Sequence, residues 1–105
     1  MVPDSETLDK VVRGIVDLVH PLRIVLFGSA VRGEMTSDSD LDVLVVVPDG
    51  MHRRRTAQML YRRMPSVGVP VEFIVATTAD LEKHKNNVGL IYRQVLKEGR
   101  EIYAA

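Results

Sequence analysis

The sequence predicts a single α/β (α+β) domain in which a small mixed β-sheet is flanked by helices. Three observations carry that expectation. Apolar residues recur at helical spacing near both ends of the chain, and short continuously apolar runs bounded by Gly, Pro, Asp and Ser lie between them. The 105 residues, 46% of them apolar, suffice for one compact core and leave no room for a second folded unit. One domain over 1–105 is therefore expected.

Leu8, Val11, Val12, Ile15, Val16 and Val19 fall on one helical face behind the polar opener Asp4-Ser5, and Pro21 marks the end of that helix. Arg23 to Phe27 reads as a short buried strand closed by Gly28-Ser29, a turn into a brief helix over 29–33. After the polar loop Glu34 to Ser39, Leu41 to Val47 is apolar on both faces beyond its first residues, as a central strand is, and stops at Pro48-Asp49-Gly50. The segment 51–64 predicts a helix with Ala57, Leu60, Tyr61 and Met64 on one side and Arg53, Arg54, Arg55, Arg62 and Arg63 on a basic surface. Val71 to Val75 predicts a third strand, and Thr77-Thr78 caps a short helix through about Lys85. Val88, Ile91, Tyr92 and Val95 mark a last helix, which Gly99 is expected to end in a left-handed conformation. Ile102 and Tyr103 are expected to pack back onto the body.

Composition removes several classes of function. Lys plus Arg equals Asp plus Glu at 14 each, so no overall field draws the chain to nucleic acid or to an anionic membrane. The lack of Cys excludes disulfides, thiolate metal sites and thiol nucleophiles, and fits a reducing compartment. With no signal-peptide pattern and no apolar run of membrane-spanning length, a soluble cytoplasmic protein is expected. His20, His52 and His84 show no ligand spacing, which disfavours zinc; they and Tyr61, Tyr92 and Tyr103 read as packing or surface residues.

The chemistry gathers at Asp40 and Asp42, two apart at the start of a strand, where the pleat aims both carboxylates to one side. Paired carboxylates beside a core repel each other and resist desolvation, so the pattern calls for a divalent cation, with Mg²⁺ the oxygen-seeking candidate. Read alone, the pair is also an ordinary polar turn with Ser37, Asp38 and Ser39. Gly28-Ser29 adds backbone amides and a hydroxyl suited to phosphate. For that turn to face Asp40 and Asp42, the first two strands must run antiparallel, and a crossover through the 51–64 helix would lay the third strand parallel to the second, bringing Glu72 to the pair. The sheet is then mixed. The arginines of 51–64 read as the solvated side of a helix, with a docking surface for an acidic partner as the sharper alternative.

Gly28-Ser29-Ala30-Val31-Arg32-Gly33 followed by Ser39-Asp40-Leu41-Asp42 resembles the Gly-Ser…Asp-x-Asp signature of the DNA polymerase β-like nucleotidyltransferase superfamily. The Arg-Gly after the Gly-Ser, with the brevity of the chain, is most similar to its minimal nucleotidyltransferase (MNT) branch. The likeness runs from the first strand to Glu72, and more loosely to Glu98-Gly99 and Tyr103. It implies the nucleotidyltransferase fold, a triphosphate gripped by Gly28 and Ser29, and two Mg²⁺ ions held by Asp40 and Asp42. Glu72 matches the third acidic position, as metal ligand and activator of the attacking hydroxyl, although the family more often has aspartate there. Arg32 matches the MNT arginine and would neutralise phosphate or orient the acceptor.

The resemblance further implies transfer of AMP from ATP to a hydroxyl, with the acceptor brought by another polypeptide. Relatives of this branch are commonly encoded with a HEPN-domain toxin and act as antitoxin by adenylylating it on a tyrosine, in a homo- or hetero-oligomer. Two alternatives stand beside this: a catalytically weak module that neutralises its partner by docking, and a small-molecule nucleotidyltransferase of the antibiotic-modifying kind. Nucleic acid is disfavoured as a partner by neutral total charge and few aromatics.

Overall fold

The computed structural model describes residues 3–36, 38–84 and 91–105. Its elements in chain order are α1 (Ser5–Val19), β1 (Arg23–Phe27), α2 (Ser29–Arg32), β2 (Leu41–Val47), α3 (Arg53–Arg63), β3 (Val71–Thr77), α4 (Thr78–His84), α5 (Ile91–Glu98) and β4 (Arg100–Ala104). Ser37, Lys85 and Val88, to which the sequence assigned places in a loop and two helices, lie outside the described residues.

Each helix end has a local cause. Asp4 caps α1 by accepting the Thr7 amide at 2.7 Å. His20 takes the left-handed conformation at its far end, and Pro21 prevents continuation. His52 caps α3, its Nδ1 accepting the Arg55 amide at 3.2 Å. Thr77 and Asp80 form a reciprocal cap at the start of α4: the Thr77 amide donates to Asp80 at 3.0 Å and the Asp80 amide to the Thr77 hydroxyl at 3.1 Å. Among the described residues no helix is long and apolar enough to cross a membrane.

The sheet has four strands in the order β3-β2-β1-β4, with β2 antiparallel to β1 and parallel to β3. It is the mixed arrangement expected from the need to bring Gly28 beside Asp42. β3 runs to Thr77 rather than stopping at Val75, because Ala76 and Thr77 still pair with Val46 and Val47. Ile102 and Tyr103 pack on the body as expected, but as part of a strand: β4 runs antiparallel along β1, and Arg23 ties the pair to Glu101 at 2.6 Å.

Gly99 departs from expectation. It is not among the positive-φ residues, so left-handed freedom does not explain it. A Cβ there would collide with the Val95 carbonyl and come within 2.5 Å of Val25 Cγ1, so the residue serves close passage of the chain from α5 into β4.

Alternation along β1 and β2 divides the core. Ile24, Leu26, Leu41, Val43, Val45 and Val47 face α1 and α3, meeting Val11, Ile15 and Leu60. Val25, Phe27, Leu44 and Val46 face the other way, with Ala76, Leu81 and Val95. Asp42 shares the parity of Leu44 and Val46, so its side chain emerges on this second face.

Candidate active site

Gly28 ends β1 with φ 75° and ψ −150°, a conformation open to glycine and strained for other residues. A Cβ there would collide with the Asp42 carboxylate, whose Cγ would lie 3.2 Å away. The first turn after β1 is therefore in contact with the acid at the start of β2, and the pairing of Phe27 with Asp42 fixes that approach. The Gly28 carbonyl accepts the amides of Val31 and Arg32 at 3.1 and 3.2 Å, and Gly33 closes the short helix in a left-handed conformation. At the start of α2 the Ser29 and Ala30 amides have no intrahelical acceptor, which leaves them and the half-buried Ser29 hydroxyl available to an anion.

Parallel pairing sets Glu72 of β3 directly beside Asp42 of β2 on the same face. Asp40, one residue before β2, is exposed, as is Glu72, while Asp42 is half-buried. The Asp42 carboxyl is pushed up from 3.8 to about 6. Burial is the largest cause, followed by the charge of Glu72, a side-chain hydrogen bond with it, and the charge of Asp40. Arg32 opposes these. Its guanidinium Nε is 3.0 Å from Glu34, so the arginine is both an exposed ion-pair partner and part of the field at Asp42.

The candidate site residues Gly28, Ser29, Arg32, Asp40, Asp42 and Glu72 thus lie at one end of the β1–β2–β3 sheet. Gly28 touches Asp42, Glu72 and Asp40 bear on its ionisation, Ser29 opens α2, and Arg32 closes it. Two contributors escaped the sequence reading. Phe27 pairs with Asp42 and belongs to the apolar cluster behind it, and Glu34 holds Arg32. Phe27 could have been found from its place one residue before Gly28; Glu34 carries no distinguishing signal within a polar loop.

The donor set is all oxygen, with more negative than positive charge, which fits a hard dication such as Mg²⁺. Among the described residues no three acidic or histidine side chains stand together at the spacing of a complete metal cage. Such a cation would take one or two of these carboxylates and complete its shell with water and phosphate oxygens. Chemically, the arrangement offers amide donors for a polyphosphate beside carboxylates for cations and protons.

Residues 8–102 match the nucleotidyltransferase domain family. A Methanocaldococcus jannaschii protein named "Putative protein adenylyltransferase" is 32% identical over 81 residues, covering 77% of each chain. Among solved structures, a toxin–antitoxin with AMP-PNP superposes with a TM-score of 0.66 at 22% identity, over 93% of this chain and 73% of that one. A mutant of the toxin–antitoxin MntA–HpeT superposes with a TM-score of 0.62 at 19% identity, over the same shares. Both are similar to this chain in fold.

Proposed function

The chain belongs to the nucleotidyltransferase domain family, and from that premise we propose that it moves AMP from magnesium-bound ATP onto a tyrosine hydroxyl of a HEPN-domain toxin and so acts as its antitoxin. The observation that carries this reading is the convergence of Gly28, Asp42 and Glu72: a glycine turn in contact with one carboxylate, which is in register with a second. The relative named as a protein adenylyltransferase supports a protein acceptor. The toxin–antitoxin with AMP-PNP supports an adenine nucleotide and a toxin partner. The mutant MntA–HpeT carries glutamate for aspartate at two positions two apart, the spacing of Asp40 and Asp42 here.

Two Mg²⁺ ions, each held by one or two of the Asp40, Asp42 and Glu72 carboxylates, would supply charge neutralisation for the triphosphate and the departing pyrophosphate. The chain does the rest. The Ser29 and Ala30 amides and the Ser29 hydroxyl donate to phosphate oxygens, and the bare Cα of Gly28 lets this turn lie against Asp42. Arg32 adds positive charge beside them. The acceptor oxygen bonds to the α-phosphorus as the bond to pyrophosphate breaks, and the exposed Glu72 carboxylate takes the proton that the hydroxyl loses. Orientation and preorganised charge do most of the catalytic work.

The test is to incubate the purified chain with ATP, Mg²⁺ and the HEPN-domain protein, and to weigh both chains by mass spectrometry. The expected result is one AMP added to a partner tyrosine. Asp40→Asn and Asp42→Asn should lower transfer by at least ~100-fold, the scale of losing a charge-stabilising group, while the complex persists. Unchanged masses within a stable complex would overturn transfer in favour of neutralisation by docking.

A further inference from the structure

We propose that the outer face of α3 is a docking surface for an acidic helix of a partner protein. Arg55, Gln58, Met59, Arg62 and Arg63 recur at helical spacing on that face and line an open groove of about 360 Å³. The helix is anchored from its opposite side by Thr56 and Leu60, both buried, so the arginine face is held rigidly outward. No acidic residue occurs between positions 51 and 71. Arg53 reaches Asp80 at 3.4 Å. Among the described residues Arg54, Arg55, Arg62 and Arg63 are exposed and have no acid within ion-pair distance.

A solvated helix face ordinarily interleaves acids with its bases at three- and four-residue spacing; this one concentrates a single sign in a chain whose total charge is zero. The complement must come from outside. Two features select an acidic helix over a polyphosphate chain. The groove includes Met59, half-buried against the core, which offers an apolar floor for side-chain packing, whereas among the described residues no aromatic ring lines it to stack a base. Arg55 and Arg62 are seven residues apart, roughly 10 Å along the axis, matching carboxylates one heptad apart on a facing helix.

α3 covers the sheet face that holds Leu60, and Asp42 and Glu72 emerge on the other. A partner held on the outer face of α3 therefore leaves the sheet face of those carboxylates uncovered.

The probe is a fluorescein-labelled three-heptad peptide with glutamates along one helical stripe, compared with a scrambled peptide of equal composition. Anisotropy should give tighter binding of the striped peptide, and backbone amide shifts should fall on Arg55 to Arg63. Binding should weaken roughly tenfold or more in Arg55→Glu/Arg62→Glu, and to a smaller extent in Arg55→Gln/Arg62→Gln, which preserves folding if charge reversal does not. Asp42→Asn should bind as the parent does. Equal binding of the scrambled peptide, shifts away from α3, or tighter binding of a single-stranded RNA oligonucleotide would overturn the proposal. So would self-association in sedimentation that the charge reversal abolishes, since the occupant would then be a second copy.

Discussion

Gly28 and Asp42 constrain one another, and the two are best tested as a pair. Alanine at position 28 would have to hold φ 75° and also push into the Asp42 carboxylate. Gly28→Ala is expected to destabilise the fold by ~1–3 kcal/mol, read from urea melts, and to lower nucleotidyl transfer beyond the loss of folded protein. Retention of full activity per folded molecule would contradict the close approach of this turn to the acid. Asp42 itself makes stability depend on pH. Its carboxyl ionises at about 6 in the folded chain against an ordinary 3.8. Between those values the unfolded chain has lost the proton and the folded chain still holds it, so folding takes up a proton and stability falls as pH rises through this window. In cation-free buffer, urea melts across that range should show the decline, and Asp42→Asn should flatten it. Added Mg²⁺ should stabilise the parent more above pH 6 than below it, because there the carboxylate is already charged.

At the level of elements, β3 shows how the sheet protects an outer edge. The Phe73 amide donates to the Tyr61 hydroxyl at 2.9 Å, and the two rings meet edge to face with centroids 5.2 Å apart. The Thr77 amide is taken by Asp80. Tyr61→Phe should keep the ring contact and lose the hydrogen bond, at ~0.5–1.5 kcal/mol, with faster hydrogen exchange at Phe73. Unchanged exchange would mean that the hydroxyl does not guard the edge. Tyr61 also marks where sequence patterning runs out. It shares helical spacing with Leu60 and Met64, yet it is 55% exposed and turned to the strand edge rather than into the core. β1 and β2 were legible to the residue because each is a buried apolar run between turn formers, a pattern with local causes. β4 was not: Arg100 and Glu101 are exposed, and the segment becomes a strand only by pairing with β1. Gly99 was misread for the same reason, since its neighbour Val25 is distant in sequence. In the candidate site the spacing of Asp40 and Asp42 was by itself open to a polar-turn reading, and only its combination with the Gly28-Ser29 turn upstream set the pair apart. The parallel register that brings Glu72 to Asp42 could be inferred only by assuming the crossover.

For the molecule as a whole, β2 is the wall between two cores: the carboxylates of Asp42 and Glu72 emerge on the side of the smaller one, while α2 is seated on the larger through Ala30. Leu60 fills the core shared with α1 and α3, whereas Val95 fills the smaller one, with Phe27 and Leu44. Phe27 pairs with Asp42, and Leu44 is the next residue on Asp42's own side of β2, so a void at Val95 opens behind the site and a void at Leu60 opens across the sheet from it. Both side chains are fully buried. Leu60→Ala should therefore cost ~2–5 kcal/mol and Val95→Ala ~1–3 kcal/mol. The ranking in activity should be the reverse of the ranking in stability. Interiors this closely packed transmit small displacements, and misplacing a reacting group by about 1 Å can lower a rate ~100-fold. Assayed at a temperature where both variants are fully folded by circular dichroism, Val95→Ala should lose roughly tenfold or more in transfer per folded molecule, while Leu60→Ala stays near the parent. If the two lose activity in proportion to stability, the cores are mechanically one and the division drawn along β2 has no functional meaning.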